Sequence, residues 1–193
     1  MWYKVKKIYQ WTNQVRPSWW EYSYDFRNKS ATQFANDGWQ WTSWWNVDGD
    51  GAYRNSWTPL YRLLPKSLTN ATKITIDWTA KTGSSGTSSL LFWLWQTYSN
   101  IDTHLYLQYS SSNEVSCWGT ANYFSRTYNG NSTGTLVYDL VNKTVNLSFA
   151  NWTPSPATFT MTDTEVASIK ACTYLWIYQN WTPRIASIKI AVE

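Results

Sequence analysis

The chain has 193 residues, 19% aromatic and only 15% charged, with sixteen tryptophans and fourteen tyrosines. That aromatic load excludes a disordered chain, and a chain of this length buries enough surface to fold as one domain without a metal or a disulfide. The net charge is +4 and the basic residues are scattered, apart from Lys4, Lys6 and Lys7, so no basic stripe is present to track phosphates and nucleic acid is not an expected partner.

Residues 1–18, "MWYKVKKIYQWTNQVRPS", read as an arm and hinge set apart from a domain spanning 19–193. Val5, Ile8 and Tyr9 suit a short strand, and Pro17 ends regular structure. From there strand follows strand. "WEYSYDF" (20–26) and "KITIDWTA" (73–80) alternate apolar with polar residues, as half-buried strands do. "SLLFWLWQT" (89–97) is almost continuously apolar, the mark of a strand buried on both faces. "HLYLQY" (104–109), "TLVYDL" (135–140), "TVNLSF" (144–149), "TYLWIYQ" (173–179) and "IASIKIAV" (185–192) continue the series. "VNK" (141–143) joins two of these runs as a tight hairpin, and "KTGSSGTSS" and "YNGNSTG" read as turns. "WQWTSWW" (39–45) and "AYRNSW" (52–57) read as strands on either side of a Gly-Asp turn. One short helix is expected at 162–171, capped by Thr162 or Asp163, with Val166 and Ile169 facing inward. The pattern predicts an all-β protein, an antiparallel β-sandwich (jelly roll) with one short helix near the C-terminus.

Two cysteines, Cys117 and Cys172, lack metal-binding spacing and read as buried thiols, a disulfide being open only in an oxidising compartment. No run of eighteen apolar residues suggests a membrane span, and no apolar segment suggests a signal peptide. The seven N-x-S/T sequons, at Asn28, Asn70, Asn131, Asn142, Asn146, Asn151 and Asn180, read as a by-product of abundant Asn and Thr.

The order of alternating strands, the "YDLVNKT" hairpin, the capped helix and two closing strands ending in "SIKIAV" resembles the concanavalin-A-like lectin and laminin-G-like jelly rolls. The opening "YKVKKIYQWTNQVRP" resembles the N-terminal segments of phage structural, tail-type proteins. The first resemblance implies a lectin-like sandwich. The second implies that residues 1–18 dock onto other virion or surface-assembly subunits, displaying the domain on a virion or extracellular surface. In such openings Gly usually stands where this chain has Trp11, and Gly is scarce here, with only eight residues. UGA codons read as Trp in place of Gly would explain both features, and would leave a Trp at positive φ.

Catalytic constellations are poorly represented. A sandwich glycosidase needs two carboxylates facing each other across one sheet, and Glu21 with Asp25 is the nearest approach, best read as a solvated edge pair. His104, with Asp102 before it and Cys117 beyond, could make a nucleophilic triad, but no nucleophile signature accompanies it. In "NVDGDG", Asn46, Asp48 and Asp50 offer alternate oxygen ligands for calcium, with Gly51 for the bend. Trp57 fills the position where an EF-hand needs its bidentate acid, so only a partial calcium site is open, and an ion-free β-turn is the simpler reading. No cofactor is required.

Sixteen tryptophans and fourteen tyrosines exceed what one sandwich interior holds, so some are expected at the surface. Trp39 and Trp41 share one strand face, whereas Trp44 and Trp45 point oppositely, one inward and one outward. Trp41, Trp44, Tyr53 and Trp57, beside the polar 46–55 loop, are the favoured ligand-binding aromatics, with Trp118, Tyr123 and Trp181 as further loop aromatics. The leading reading is a non-enzymatic, virion-associated or surface-displayed protein that binds glycans. Two others stand beside it: an architectural subunit whose aromatics are buried against its own copies or neighbouring subunits, and a diverged sandwich glycosidase.

Overall fold

The computed structural model describes residues 20–40, 42–54, 59–81, 89–95, 106–110, 114–117, 120–123, 125–126, 131–149, 152–153, 157–180 and 184–193. The arm at 1–18 and its short strand lie outside them. In chain order the elements begin with β1 (Trp20–Asp25), α1 (Ala31–Asn36), β2 (Trp39–Gln40), a 3₁₀ turn (Thr42–Trp44), β3 (Asn46–Asp48), β4 (Gly51–Tyr53), β5 (Leu60–Leu63) and β6 (Lys73–Lys81). They continue with β7 (Ser89–Trp95), β8 (Tyr106–Ser110), β9 (Glu114–Cys117), β10 (Thr120–Tyr123), β11 (Ser125–Arg126) and β12 (Asn131–Asp139). The last are β13 (Thr144–Phe149), β14 (Trp152–Thr153), β15 (Ala157–Thr160), α2 (Asp163–Lys170), β16 (Tyr174–Asn180) and β17 (Arg184–Val192).

Two antiparallel sheets carry the fold. An eight-stranded sheet runs β15-β13-β12-β6-β17-β4-β3, with β1 also paired to β17. A seven-stranded sheet runs β10-β9-β8-β7-β16-β5-β2. The period of two does the sorting: Ile74, Ile76, Trp78 and Ala80 of β6 are buried, while Thr75, Asp77 and Thr79 between them face outward. In β17 the phase slips once. Ile185 and Ala186 are both buried, and the register shifts between Ile185 and Ser187, a β-bulge. Below the bulge β17 pairs with β1 from Ser187 to Val192; above it, Ile185 pairs with Ala52 of β4. The carbonyl of Ala186 accepts a hydrogen bond from the Phe26 amide (2.8 Å).

The expected strands form where they fall on described residues, with four corrections. The run "AYRNSW" is a strand only through Tyr53: Arg54 leaves it, and positions 55–57 lie outside the described residues. The run "WQWTSWW" pairs only at Trp39–Gln40 and then turns into the 3₁₀ segment. Asn131–Gly134, read as part of a turn, already belongs to β12. A second helix, α1, joins the expected one: Ser30 accepts a bond from the Gln33 amide while the Gln33 side chain accepts one from the Ser30 amide, a capping box that starts one short turn. Thr162 and Glu165 form the same box at α2, where Ile169 is buried and Val166 packs at the core's margin. The 140–143 hairpin forms as expected, with Asp139 accepting from the Val141 and Asn142 amides.

Helix α1 is held by its one buried residue. Phe34 meets Phe26 (ring centroids 5.5 Å) and Tyr24 (6.2 Å), and Trp39 closes the group against Phe26 (5.1 Å). Burying each such ring is worth about 1.5–3 kcal/mol. Asp37, just past α1, accepts hydrogen bonds from the Tyr24 hydroxyl (2.6 Å) and the Lys29 ammonium (2.8 Å), and its carbonyl accepts one from Arg62 of β5. The Arg62 guanidinium also lies 4.3 Å from the centre of the Tyr22 ring, tying the two sheets together. Lys29, then Tyr24, hold the Asp37 carboxyl below its ordinary range, and burial with the Asp37 bond pushes the Tyr24 phenol up.

Cys172 is a free, buried thiol whose pKa burial pushes up to about 12, and it donates to the Ser168 carbonyl (3.2 Å). Positive φ among the described non-glycine residues occurs only at Asn28 and Lys143, so no described Trp adopts it; Trp11 lies outside the described residues.

Gly134 faces Trp78 across the β12–β6 pair, and a Cβ there would sit 2.2 Å from the indole Cζ2. Gly134→Ala should therefore cost about 1–3 kcal/mol by overpacking, read from urea unfolding, and Trp78→Phe in the same chain should recover part of that loss. The lowered Asp37 pKa adds stability that is present above the unfolded carboxyl pKa, about 4, and is lost as pH falls through the folded value. Amide exchange in α1 should accelerate below about pH 4, and Asp37→Asn should remove that pH dependence.

Candidate functional site

The segment after β2 leaves the seven-stranded sheet and builds the edge of the other one. The Trp45 amide donates to the Thr42 carbonyl (3.0 Å), closing the 3₁₀ turn, and this turn splits the neighbouring indoles. Trp45 is 3% exposed and Trp44 is 65% exposed, the opposed pair that the sequence implies. Of the six tryptophans whose side chains are described, the other five are 5% exposed or less. Trp44 is therefore the large aromatic left open among the described residues.

The β3–β4 hairpin follows. Asp48 accepts from the Asp50 amide (2.9 Å), and Gly51 sits at φ +130° with the Ile185 carbonyl so close that a Cβ would lie 2.1 Å from its oxygen. Only glycine lets the hairpin close on β17 at this point. Once closed, β17 and β6 supply cations to the turn. Arg184 Nε contacts Asp48 Oδ2 at 2.5 Å, and Lys81 Nζ contacts Asp50 Oδ2 at 2.6 Å. The Arg184 guanidinium lies 4.3 Å from the centre of the half-buried Tyr53 ring. Arg54, 3% exposed, lies 5.6 Å from the Trp44 ring. Burial raises the Asp48 carboxyl, but the Arg184 ion pair and the Asp50 and Gly51 amides outweigh it, so its pKa is lowered.

These contacts change the reading of the oxygen-rich loop. Asn46 and Asp48 lie on a strand, Asp50 lies in the turn, and both carboxylates carry a cation from the chain itself. Among the described residues no three His, Cys, Asp or Glu side chains stand close enough to share a metal ion. Glu21 and Asp25 likewise face separate cations, Lys189 (2.8 Å) and Arg27 (2.5 Å).

The structure thus brings Trp44 and Tyr53 to one edge, each beside an arginine. Trp41, Trp57, Trp118 and Trp181 lie outside the described residues, as do Asp102 and His104; Tyr123 ends β10, and the side chains of Tyr123 and Cys117 are likewise outside. Sequence reading missed Arg54, Lys81 and Arg184, because two of these come from strands remote in sequence. It also missed a second aromatic layer. Leu60, Leu175 and Ile177 enter the core, while the alternate positions of β5 and β16 place Tyr61 on Trp176 (4.8 Å, 16°) and against Tyr174 (5.8 Å, 79°). Trp176 is buried without joining the core, as expected of a sheet that is apolar on both faces.

No protein-family model matches the sequence, and no curated protein matches it by sequence. Solved structures do match. Peanut lectin with a nine-residue peptide superposes with a TM-score of 0.64 at 9% identity, covering 91% of this chain and 98% of that one. Winged bean acidic lectin in complex with methyl-alpha-D-galactose gives 0.58 at 9% identity, with 90% and 98% covered. The carbohydrate recognition domain of Emp46p in its potassium-bound form gives 0.56 at 13%, with 86% and 94% covered. At these identities the likeness is one of fold: the chain is an all-β, antiparallel sandwich laid out like these lectin structures.

Proposed function

We propose that the chain is a non-enzymatic, lectin-like protein that binds glycans at the edge formed by Trp44, Tyr53 and the β3–β4 hairpin. The single observation that carries this reading is the exposure of Trp44 in a chain that buries its other described tryptophans. An open indole on a closed turn offers a flat apolar face to the C–H side of a pyranose, already ordered before the ligand arrives. Asn46 is exposed on the same hairpin, and Asp48, Asp50, Arg184 and Lys81 supply acceptors and donors for sugar hydroxyls. The lectin-type fold of the neighbours supports a binding role. The separate ion pairs of Glu21 and Asp25 support the absence of glycosidase chemistry, which needs its two carboxylates working across one gap. Residues 1–18 act as the arm that docks this domain onto other subunits of a virion or extracellular surface assembly.

The test is a glycan array read with the full chain, followed by titration of the best glycan against intrinsic Trp fluorescence. Trp44→Ala should weaken binding about tenfold, the scale of one lost aromatic contact, with an unchanged unfolding midpoint because the ring is open to solvent. Light scattering on the same samples separates the rival role. An oligomer that falls apart on Trp44→Ala, with no glycan response in the parent chain, would assign the ring to subunit contact instead.

A further inference from the structure

Three donors meet where the two sheets share a rim, and the hairpin site uses none of them. Trp39 and Arg62 are register partners in the β2–β5 pair, so their side chains leave one face of the seven-stranded sheet side by side. Tyr22 comes from β1 of the other sheet, and the Arg62 guanidinium lies 4.3 Å from the centre of its ring. Trp39 is 1% exposed, and its indole Nε1, the Arg62 Nε and the Tyr22 Oη are all buried with no hydrogen-bond partner among the described residues. Burial pushes the Tyr22 pKa up, so the phenol keeps its proton, while the Arg62 and Trp39 N–H groups pull the other way from beside its oxygen. One point on the rim thus faces an indole N–H, a guanidinium N–H and a phenol O–H.

The charges around that point select the occupant. The Asp37 carboxylate is taken by Lys29 (2.8 Å) and the Tyr24 hydroxyl (2.6 Å), whereas Arg62 donates to the neutral Asp37 carbonyl. Lys29 and Arg62 against Asp37 leave one positive charge unmatched among these groups, and a half-buried charge without a counter-ion is costly. Three donors turned to one point call for an acceptor, and the surplus charge calls for a negative one. A water would satisfy the donors and leave the charge. Donors closing from three sides suit a single spherical ion, where sulfate or phosphate would bring further oxygens that find no donors.

We infer that a chloride ion sits between Trp39, Arg62 and Tyr22 and ties β1 to the β2–β5 rim. The inference stands apart from the hairpin and its ligand. Tyr22 and Arg62 are half-buried, so the ion exchanges with solvent. The full chain in sodium chloride should broaden the ³⁵Cl resonance saturably, and bromide should compete that broadening away. Arg62→Met should abolish the competed part. Tyr22→Phe keeps the ring, removes one donor and serves should Arg62→Met fail to fold; it should weaken chloride about tenfold, the scale of one hydrogen bond to a charged group. Lys143→Met, at the exposed ion pair beside α2, should change nothing. In a crystal soaked in bromide, an anomalous peak should lie against Trp39 Nε1, Arg62 Nε and Tyr22 Oη. No saturable broadening, or broadening that both Arg62→Met and Tyr22→Phe retain unchanged, would overturn the inference. A water alone at that point in the soaked crystal would overturn it as well.

Discussion

One edge of β17 serves two strands, and the bulge at Ala186 falls where one gives way to the other. Along Ser187–Val192 that edge is occupied by β1; at Ile185 it is occupied by β4. The extra residue between them breaks the ladder, turns Ala186 inward, and leaves its carbonyl to receive the Phe26 amide where the chain departs from β1. The segment from α1 to β5 leaves the eight-stranded sheet after β1, forms the rim of the seven-stranded sheet at β2, and returns to dock β3 and β4. The open indole, the hairpin and its two borrowed cations all hang from that return.

Arginine does much of the joining. Among the described residues three guanidiniums lie over aromatic rings: Arg62 over Tyr22, Arg184 over Tyr53 and Arg54 over Trp44. A planar, weakly hydrated cation can sit on a ring and still bond sideways to an oxygen, as Arg62 does with the Asp37 carbonyl and Arg184 with Asp48. That dual use suits a chain rich in aromatics and poor in charge. Burial of so many rings has a counterpart, since the Trp20 and Trp45 indole N–H groups are buried with no acceptor among the described residues. Each such donor forgoes about 1–3 kcal/mol.

The strands of the core were legible because a half-buried strand writes its two faces into alternate letters, as β6 and the lower part of β17 do. The opposed burial of Trp44 and Trp45 was expected from alternation but is produced by the 3₁₀ turn. Alternation failed where aromatics were dense for another reason. "WQWTSWW" scores as a strand by composition, yet the chain uses it to pass between sheets, and nothing local marks the departure after Gln40. Helix α1 is six residues long, under two turns and too short to show a helical period, and only the Ser30–Gln33 spacing announced it. The ion-pair partners of the hairpin carboxylates, Lys81 and Arg184, could not be read there because they are distant in sequence and become neighbours only when β4 meets β17. Arg54 reads as a surface residue by type and is sealed by its position behind the turn.

The pairing of β1 with β17 also sets how the domain bears a load. Trp20 is the register partner of Val192, and the Glu193 backbone is bonded to Lys73 beside it. Tension applied through residue 19 against residue 193 therefore enters at one end of the same ladder and opens it rung by rung, like a zip, instead of straining every bond together. A domain tethered by residues 1–18 and pulled from that side would peel at β1 first. The two glycines of the hairpin and the cations over it would feel the force only after the six pairs from Trp20 to Asp25 had parted.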